Sequence, residues 1–167
     1  DPVLARLSPG LVATLESLRL ATDEGATRVE FLGGIYHDES IGVYVPDLCI
    51  LATIREGAKL RKLGKIAVRS IDVAETMIPL EYDGPRDPEK LLEMKAFRDR
   101  RTCVVNRNRV MRTRPRFNEW SIEFDLIFDR KQLEREQVIS IASDAGEMIG
   151  LCDFRPRFGR FAVQIEE

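Results

Sequence analysis

The alternation of side chains between Trp120 and Phe128 constrains the fold more than any other feature of this chain. Ser121, Glu123 and Asp125 stand between apolar residues that occupy every second position: Trp120, Ile122, Phe124, Leu126 and Phe128. Successive side chains of a strand point to opposite faces, so a period of two predicts a β-strand with one buried face and one exposed face. Other elements of the chain must therefore cover the apolar face of a sheet.

Helical patterns at four places predict what covers that sheet. Leucines recur at near-helical spacing after Ser8-Pro9, and an apolar stripe follows Pro46, as is typical of amphipathic helices. The predicted helices span residues 8–21, 47–63, 89–94 and 131–148. Gly64 and Gly150 are expected to end the second and the last of these helices.

Strands are predicted in the remaining segments, and their order indicates the fold. They span residues 66–82 as one or two strands, 160–165, two stretches within 102–129, and 28–36 as a short strand or an irregular segment. The last part of the chain reads strand, strand, helix and strand, and an earlier strand and helix precede it. This order predicts an α+β fold of the ferredoxin-like type, with a split βαβ order. In such a fold, helices cover one face of an antiparallel sheet, here elaborated as in RRM-like domains. A length of 167 residues predicts one domain, 1–167.

Composition narrows the class of function. The chain is 44% apolar and 32% charged, and no apolar run approaches the roughly 18 residues of a membrane span. Cys49, Cys103 and Cys152 are odd in number and widely spaced, so neither a disulfide framework nor a zinc site is predicted, and a reducing compartment fits best. With His37 as the single histidine, a catalytic triad is hard to assemble. We therefore predict a non-enzymatic protein without membrane association, metal or cofactor.

An arginine-rich segment from Arg98 to Arg116 carries the clearest functional signal. It contains eight arginines, no lysine and one acidic residue, a net charge of +7 in a chain whose total is −2. Arginine donates paired hydrogen bonds to phosphate and stays charged when it is partly desolvated. Alternate arginines of an extended strand would project from one face about 6.6 to 7 Å apart, close to the phosphate spacing of an extended nucleic acid. The predicted phosphate contacts in this segment are Arg107, Arg109, Arg112, Arg114 and Arg116.

Two other interpretations of this segment remain open. Its arginines could pair with acids of the same chain, such as Glu119, Glu123 and Asp125, although surface ion pairs of this kind are weak. They could also bind an acidic protein partner. A metal-dependent nuclease using Asp83 or Asp87 is the enzymatic alternative, but the sequence around these aspartates is typical of a turn.

A second basic segment lies near the C-terminus. Phe154, Phe158 and Phe161 alternate there with basic residues that are further candidate contacts: Arg155, Arg157 and Arg160. Such a mixture offers a face for base stacking beside phosphate contacts, whereas the alternative is that the phenylalanines fill the core. Lys59 and Lys62 are also candidates, although basic residues at the end of a helix also complement its dipole.

Several segments resemble an uncharacterised family encoded by bacteriophages and prophages. The resemblance rests on residues 30–36 (EFLGGIY), 56–65 (EGAKLRKLGK), 82–87 (YDGPRD), 110–117 (VMRTRPRF) with Trp120, and 153–161 (DFRPRFGRF). It implies a bacterial host cytoplasm and an additional strand ahead of Asp1. The layout is also similar to that of the RAMP superfamily, whose ferredoxin-like members line up along RNA in CRISPR effector complexes.

These observations lead to one expectation about function. We expect a protein that binds single-stranded RNA or DNA, without a catalytic site, and that assembles as a homo-oligomer along the strand. The alternative is a phage structural or interaction protein, such as an assembly component or an inhibitor of a host protein, whose arginine face binds an acidic partner.

Overall fold

The computed structural model describes residues 15–152 and 154–165, with side chains from residue 24 onward except that of residue 105. Within these ranges the helices are α1 (Leu15–Leu32), α2 (Asp47–Leu60), α3 (Gly64–Ser70), α4 (Pro88–Glu93) and α5 (Arg135–Asp144). A 3₁₀ turn covers Lys95–Phe97, and a π turn covers Ala145–Ile149. The strands are β1 (His37–Asp38), β2 (Gly42–Pro46), β3 (Ile71–Val73), β4 (Met77–Pro79), β5 (Arg98–Val105), β6 (Asn108–Pro115) and β7 (Leu126–Phe128).

The described strands form three small antiparallel sheets. Their orders are β1-β2-β4, β3-β7 and β5-β6. The predicted α+β class is confirmed, whereas the single antiparallel sheet of a ferredoxin-like fold is not confirmed by this pairing.

The chain divides into two compact units, Asp1–Ile35 with Gly84–Asn118 and Tyr36–Asp83 with Glu119–Glu167. Each unit combines two separate stretches of the chain. A single domain over residues 1–167 stays a prediction.

The first unit has a small core beside the β5–β6 hairpin. Phe31, Leu91 and Phe97 are buried there, and the ring of Phe97 lies 5.7 Å from that of Phe117. Helix α4 begins where the Asp87 carboxylate accepts a hydrogen bond of 3.0 Å from the amide of Glu89, as an N-cap aspartate does. The predicted short helix at 89–94 is therefore confirmed.

The second unit contains the larger hydrophobic cluster, in which α2 packs against α5 and the π turn. Gly57 permits this packing, because a Cβ at that position would lie 2.7 Å from the Cβ of Ala145. The predicted helices at 47–63 and 131–148 are confirmed with shorter bounds. Helix α5 starts at Arg135 because Glu134 and Gln137 form a capping box ahead of it, and Gly150, with φ 84°, follows the π turn as expected.

Two predicted strand segments are helical in the structure. Residues 28–32 belong to α1, which extends past the predicted helix end at residue 21 and ends at Leu32, where Gly33 follows. Residues 66–70 belong to α3, and Gly64 begins that helix instead of ending α2. The left-handed residue after α2 is Lys62, with φ 62°, so the chain turns two residues earlier than predicted. The predicted start of the first helix at Ser8 lies outside the described residues.

The alternation at 120–128 is confirmed in burial but only partly in strand pairing. Trp120, Ile122 and Phe124 pack against the core of the second unit, while Ser121 and Glu123 are exposed. Ladder pairing is confined to β7 and one bridge between Glu81 and Ser121. The predicted strand at 160–165 is wrong, since the amide of Phe161 bonds to the carbonyl of Gly146 in the π turn.

Candidate nucleic-acid interface

The arginine segment forms the β5–β6 hairpin, here called the arginine hairpin (residues 98–115). Its strands pair over their whole length, from Arg98 opposite Pro115 to Val105 opposite Asn108. It contains seven arginines and one aspartate, a net charge of +6. Residues directly opposite each other share a face, so one face includes Asp99, Arg101, Arg112 and Arg114, and the other includes Arg100, Val104, Arg109 and Met111.

The hairpin turns through two residues in the left-handed conformation. Asn106 has φ 49° and Arg107 has φ 67°, the signs of a type I′ turn, in which Asn-Gly is strongly favoured. Asparagine tolerates this conformation, but arginine at the second position costs about 1 kcal/mol. The strained turn leaves both residues exposed, together with Asn108 and Arg109. We call Asn106–Arg109 the hairpin tip.

Glu30 of α1 holds the base of the hairpin. Its Oε2 accepts a hydrogen bond of 3.0 Å from the backbone N–H of Thr113, and its Oε1 lies 3.5 Å from Nη1 of Arg112. On the same face as Arg112, Nη2 of Arg101 donates to the Asp99 carboxylate at 2.5 Å. Part of the positive charge at the base is thus compensated by acids of the same unit.

The predicted row of Arg112, Arg114 and Arg116 on one face stays a prediction, and its last member has contacts of its own. Arg116 lies beyond β6, where its amide donates to the carbonyl of Phe97 at 2.8 Å. Its Nη2 lies 3.4 Å from the carbonyl oxygen of Ala96, and its Nε is buried. The side chain of Arg116 is therefore half-buried.

The outer half of the hairpin combines charge with exposed apolar surface. Val104 is 67% exposed and stands opposite Arg109, and Met111 on the same face is 49% exposed. Arg107 and Arg109 make no ion pair with any residue that the structure describes. The tip is therefore the part of the hairpin where cationic side chains face solvent without acidic neighbours in contact.

The C-terminal basic segment belongs to the second unit. Arg155, Arg157 and Arg160 are exposed, and Nη1 of Arg155 lies 3.3 Å from the hydroxyl of Thr53. Phe154 is 41% exposed and its ring lies 5.7 Å from that of Phe158. Phe161 packs against Trp120 at 6.1 Å. The core interpretation therefore holds for Phe161, while Phe154 offers an exposed aromatic face.

The two lysines predicted as contacts also lie in the second unit. Nζ of Lys59 pairs with Glu56 at 2.5 Å, and Lys62 is an exposed residue of the turn after α2. The predicted contact residues are thus divided between the units, with Arg107, Arg109, Arg112, Arg114 and Arg116 in the first and the others in the second.

Within the described ranges, no group of three or more histidines, cysteines, aspartates or glutamates could hold a metal ion. None of the helices in this part of the chain has both the length and the apolarity that crossing a bilayer requires.

Sequence reasoning missed the residues that organise the hairpin. Asn106 and Asn108 flank Arg107, and asparagines between two strand-like runs are a recognised turn signal. Glu30 carries no such signal, because it lies 83 positions from Thr113. Comparison with known proteins returned no matching family model, no matching curated protein and no matching solved structure.

Proposed function

We propose that this protein binds single-stranded nucleic acid through the tip of the arginine hairpin, with the phosphate backbone as its main contact. The observation that supports the proposal best is the distribution of charge along the hairpin. Arg101 and Arg112 have acidic neighbours at the base, whereas Arg107 and Arg109 at the tip are exposed and make no ion pair with described residues.

The residues of the tip fit phosphate chemically. A guanidinium donates two parallel hydrogen bonds to phosphate oxygens. The exposed amides of Asn106 and Asn108 add donors and acceptors next to these charges. A polyanion bound there would also be attracted by the arginines nearest the tip, because charges within a Debye length of about 10 Å are only partly screened.

The composition of the hairpin predicts how binding should respond to salt and sequence. The hairpin contains no aromatic residue, so it provides no surface for base stacking and its affinity is electrostatic. Such binding falls steeply with salt and discriminates little between sequences. The exposed ring of Phe154, beside Arg155 and Arg157, is proposed as a separate and weaker stacking contact.

Fluorescence anisotropy tests the proposal. Labelled single-stranded DNA, single-stranded RNA and duplex DNA of about 30 nucleotides are long enough for one site, and each is titrated at two salt concentrations. Arg107→Ala with Arg109→Ala should weaken binding to every sequence and reduce the slope of log K against log salt by about two at most, one for each phosphate that is no longer neutralised.

A charge-matched control separates the tip from net charge. Arg130→Ala with Lys131→Ala removes the same charge at two exposed positions outside the hairpin, so it should leave affinity and slope near those of the unchanged protein. Equal losses in both double variants, or no loss in the tip variant, would overturn the assignment of the tip as the binding site.

An acidic protein partner is the second candidate function. The exposed side chains of Val104 and Met111 beside Arg109 favour it, because apolar contacts add to charge in protein interfaces. Val104→Ser with Met111→Ser should weaken binding to such a partner and leave nucleic-acid affinity unchanged. Unlabelled oligonucleotides and heparin can each be added as competitors for the bound ligand. Competition that depends on oligonucleotide length, and that heparin does not reproduce, would favour nucleic acid over an acidic protein partner.

Three further predictions belong to this proposal. The acidic remainder of one copy could bind the arginine hairpin of the next, which gives a homo-oligomer along the strand. Sedimentation with and without an oligonucleotide measures that assembly. The phage or prophage setting in a bacterial cytoplasm rests on the resemblance of the segments quoted above, and a ferredoxin-like or RAMP-like architecture likewise stays a prediction.

A further inference from the structure

Two of the three cysteines lie side by side in the second unit. Cys49 is in the first turn of α2, and Cys152 follows the π turn after α5. The Cys152 side chain lies close enough to the Cys49 thiol to act against the rise in its pKa that burial causes. Cys152 is exposed and Cys49 is half-buried. The fold therefore brings together two thiols that are distant in the sequence.

A buried hydroxyl fixes the backbone on both sides of this pair. Oγ1 of Thr53 lies 3.0 Å from the carbonyl oxygen of Cys49 and 3.1 Å from that of Gly150. The residue after Gly150 is held as well, since the amide of Leu151 donates to the carbonyl of Gly159 at 2.7 Å. Hydrogen bonds thus fix the chain next to both cysteines.

The surroundings give the two thiols different characters. Burial raises the pKa of the Cys49 thiol, while the Cys152 side chain and the positive charge of Arg155 act in the opposite direction. Arg155 also contacts Thr53 through Nη1, at 3.3 Å. Cys152 is the more exposed of the two thiols, so a solute meets it first.

We infer that Cys49 and Cys152 form a reversible disulfide when the protein meets a hydroperoxide. The Cys152 thiol attacks one oxygen of hydrogen peroxide, the O–O bond breaks, and a sulfenic acid and one water form. The sulfur of Cys49 then attacks the sulfenic sulfur, and its proton leaves with the hydroxyl as a second water. Two thiols are oxidised by two electrons, peroxide is reduced to two waters, and a dithiol reductant reverses the change.

The disulfide would join the first turn of α2 to the segment that carries Arg155. This inference does not rest on nucleic-acid binding, because its readout, the state of the thiols, needs no ligand. Cys103 lies in the arginine hairpin of the first unit and provides an internal control.

The test uses the full chain, treated with hydrogen peroxide, blocked with a thiol alkylating agent and measured by intact mass and peptide mapping. We expect two of the three thiols to escape alkylation, with the loss of two hydrogens and a crosslinked peptide pair containing Cys49 and Cys152. Reduction before alkylation should restore all three. Cys103→Ser should form the same crosslink, and Cys152→Ser, a change at an exposed position, should form none.

Cys49→Ser provides a second check on the order of the steps. Without its partner, Cys152 should accumulate as sulfenic acid, which a dimedone-type probe traps, while circular dichroism confirms that the variant is folded. Three alkylated thiols after peroxide treatment, a stable sulfenic acid in the unchanged protein, or a crosslink that requires Cys103 would each overturn the inference.

Discussion

Arg107 is the residue at which stability and the proposed function conflict. It occupies the second position of a two-residue turn with φ 67°, where glycine avoids the steric cost that a Cβ imposes. Strained residues of this kind occur frequently at functional sites. The position that the turn geometry favours for glycine therefore carries an exposed positive charge.

Arg107→Gly should therefore raise the free energy of unfolding by about 0.5–1 kcal/mol and weaken nucleic-acid binding. Urea denaturation and anisotropy measure the two effects. Asn106→Gly is the matched control, because φ is 49° there and no charge is removed; its stability should rise less and its affinity should not change. A loss of both stability and affinity in Arg107→Gly would contradict the turn geometry.

At the scale of elements, the hairpin is a basic arm whose charge is partly compensated at the base by a glutamate of α1. Glu30 of α1 both satisfies the edge N–H of Thr113 and lies beside Arg112. Glu30→Gln keeps an acceptor oxygen for Thr113 and removes the negative charge. Affinity for single strands should increase, and the slope of log K against log salt should become steeper by up to about one, because Arg112 becomes available to phosphate. An unchanged slope in the anisotropy titration would show that Arg112 does not reach the bound strand.

The packing of α2 against α5 gives a second prediction at this scale. In Gly57→Ala the new Cβ would lie 2.7 Å from the Cβ of Ala145 and 2.8 Å from the carbonyl oxygen of Ile141. Overpacking of this kind costs about 1–3 kcal/mol, which urea denaturation measures. Gly25→Ala on α1 is the control, since its Cβ would have nothing within 4 Å and alanine favours a helix. Equal changes in the free energy of unfolding of the two variants would contradict the close approach of α2 to α5 at Gly57.

The same elements show how far a sequence alone determines this fold. Apolar stripes predicted α2 and α5, and the turn signal at residues 82–88 indicated α4, because these signals are local. The burial of Trp120 and Phe128 was also predictable from their period of two, but the partner of each strand was not, since pairing depends on distant residues. The charge of the hairpin was visible in the sequence, whereas its compensation by Glu30 comes from the tertiary fold.

At the scale of the whole molecule, the two units differ in how much apolar surface each of them buries in its own core. The large hydrophobic cluster lies within the second unit. In the described part of the first unit, the buried apolar side chains are Phe31, Leu91 and Phe97. Local stability follows buried contacts, so we expect the first unit to open more readily.

Hydrogen exchange measures this difference directly. Amides of β5 and β6 should exchange at least about tenfold faster than those of α2 and α5, because fewer apolar contacts oppose local opening. Mass spectrometry of peptides from each unit resolves the two rates. Equal protection in all four elements would mean that the units unfold as one cooperative body.

The hydrogen bond between Glu30 and the amide of Thr113 also determines how far the free part of the hairpin extends. From Thr113 to Asn108 the strand advances five residues, which is about 16 Å at the rise of an antiparallel strand. If the proposed binding holds, an arm of that reach would cover only a few nucleotides, near the lower end of the roughly 4–16 that a compact single-strand-binding fold occupies. A long strand would then accommodate many hairpins in succession. Its protection from nucleases would depend more on the density of bound copies along the strand than on the affinity of any one copy.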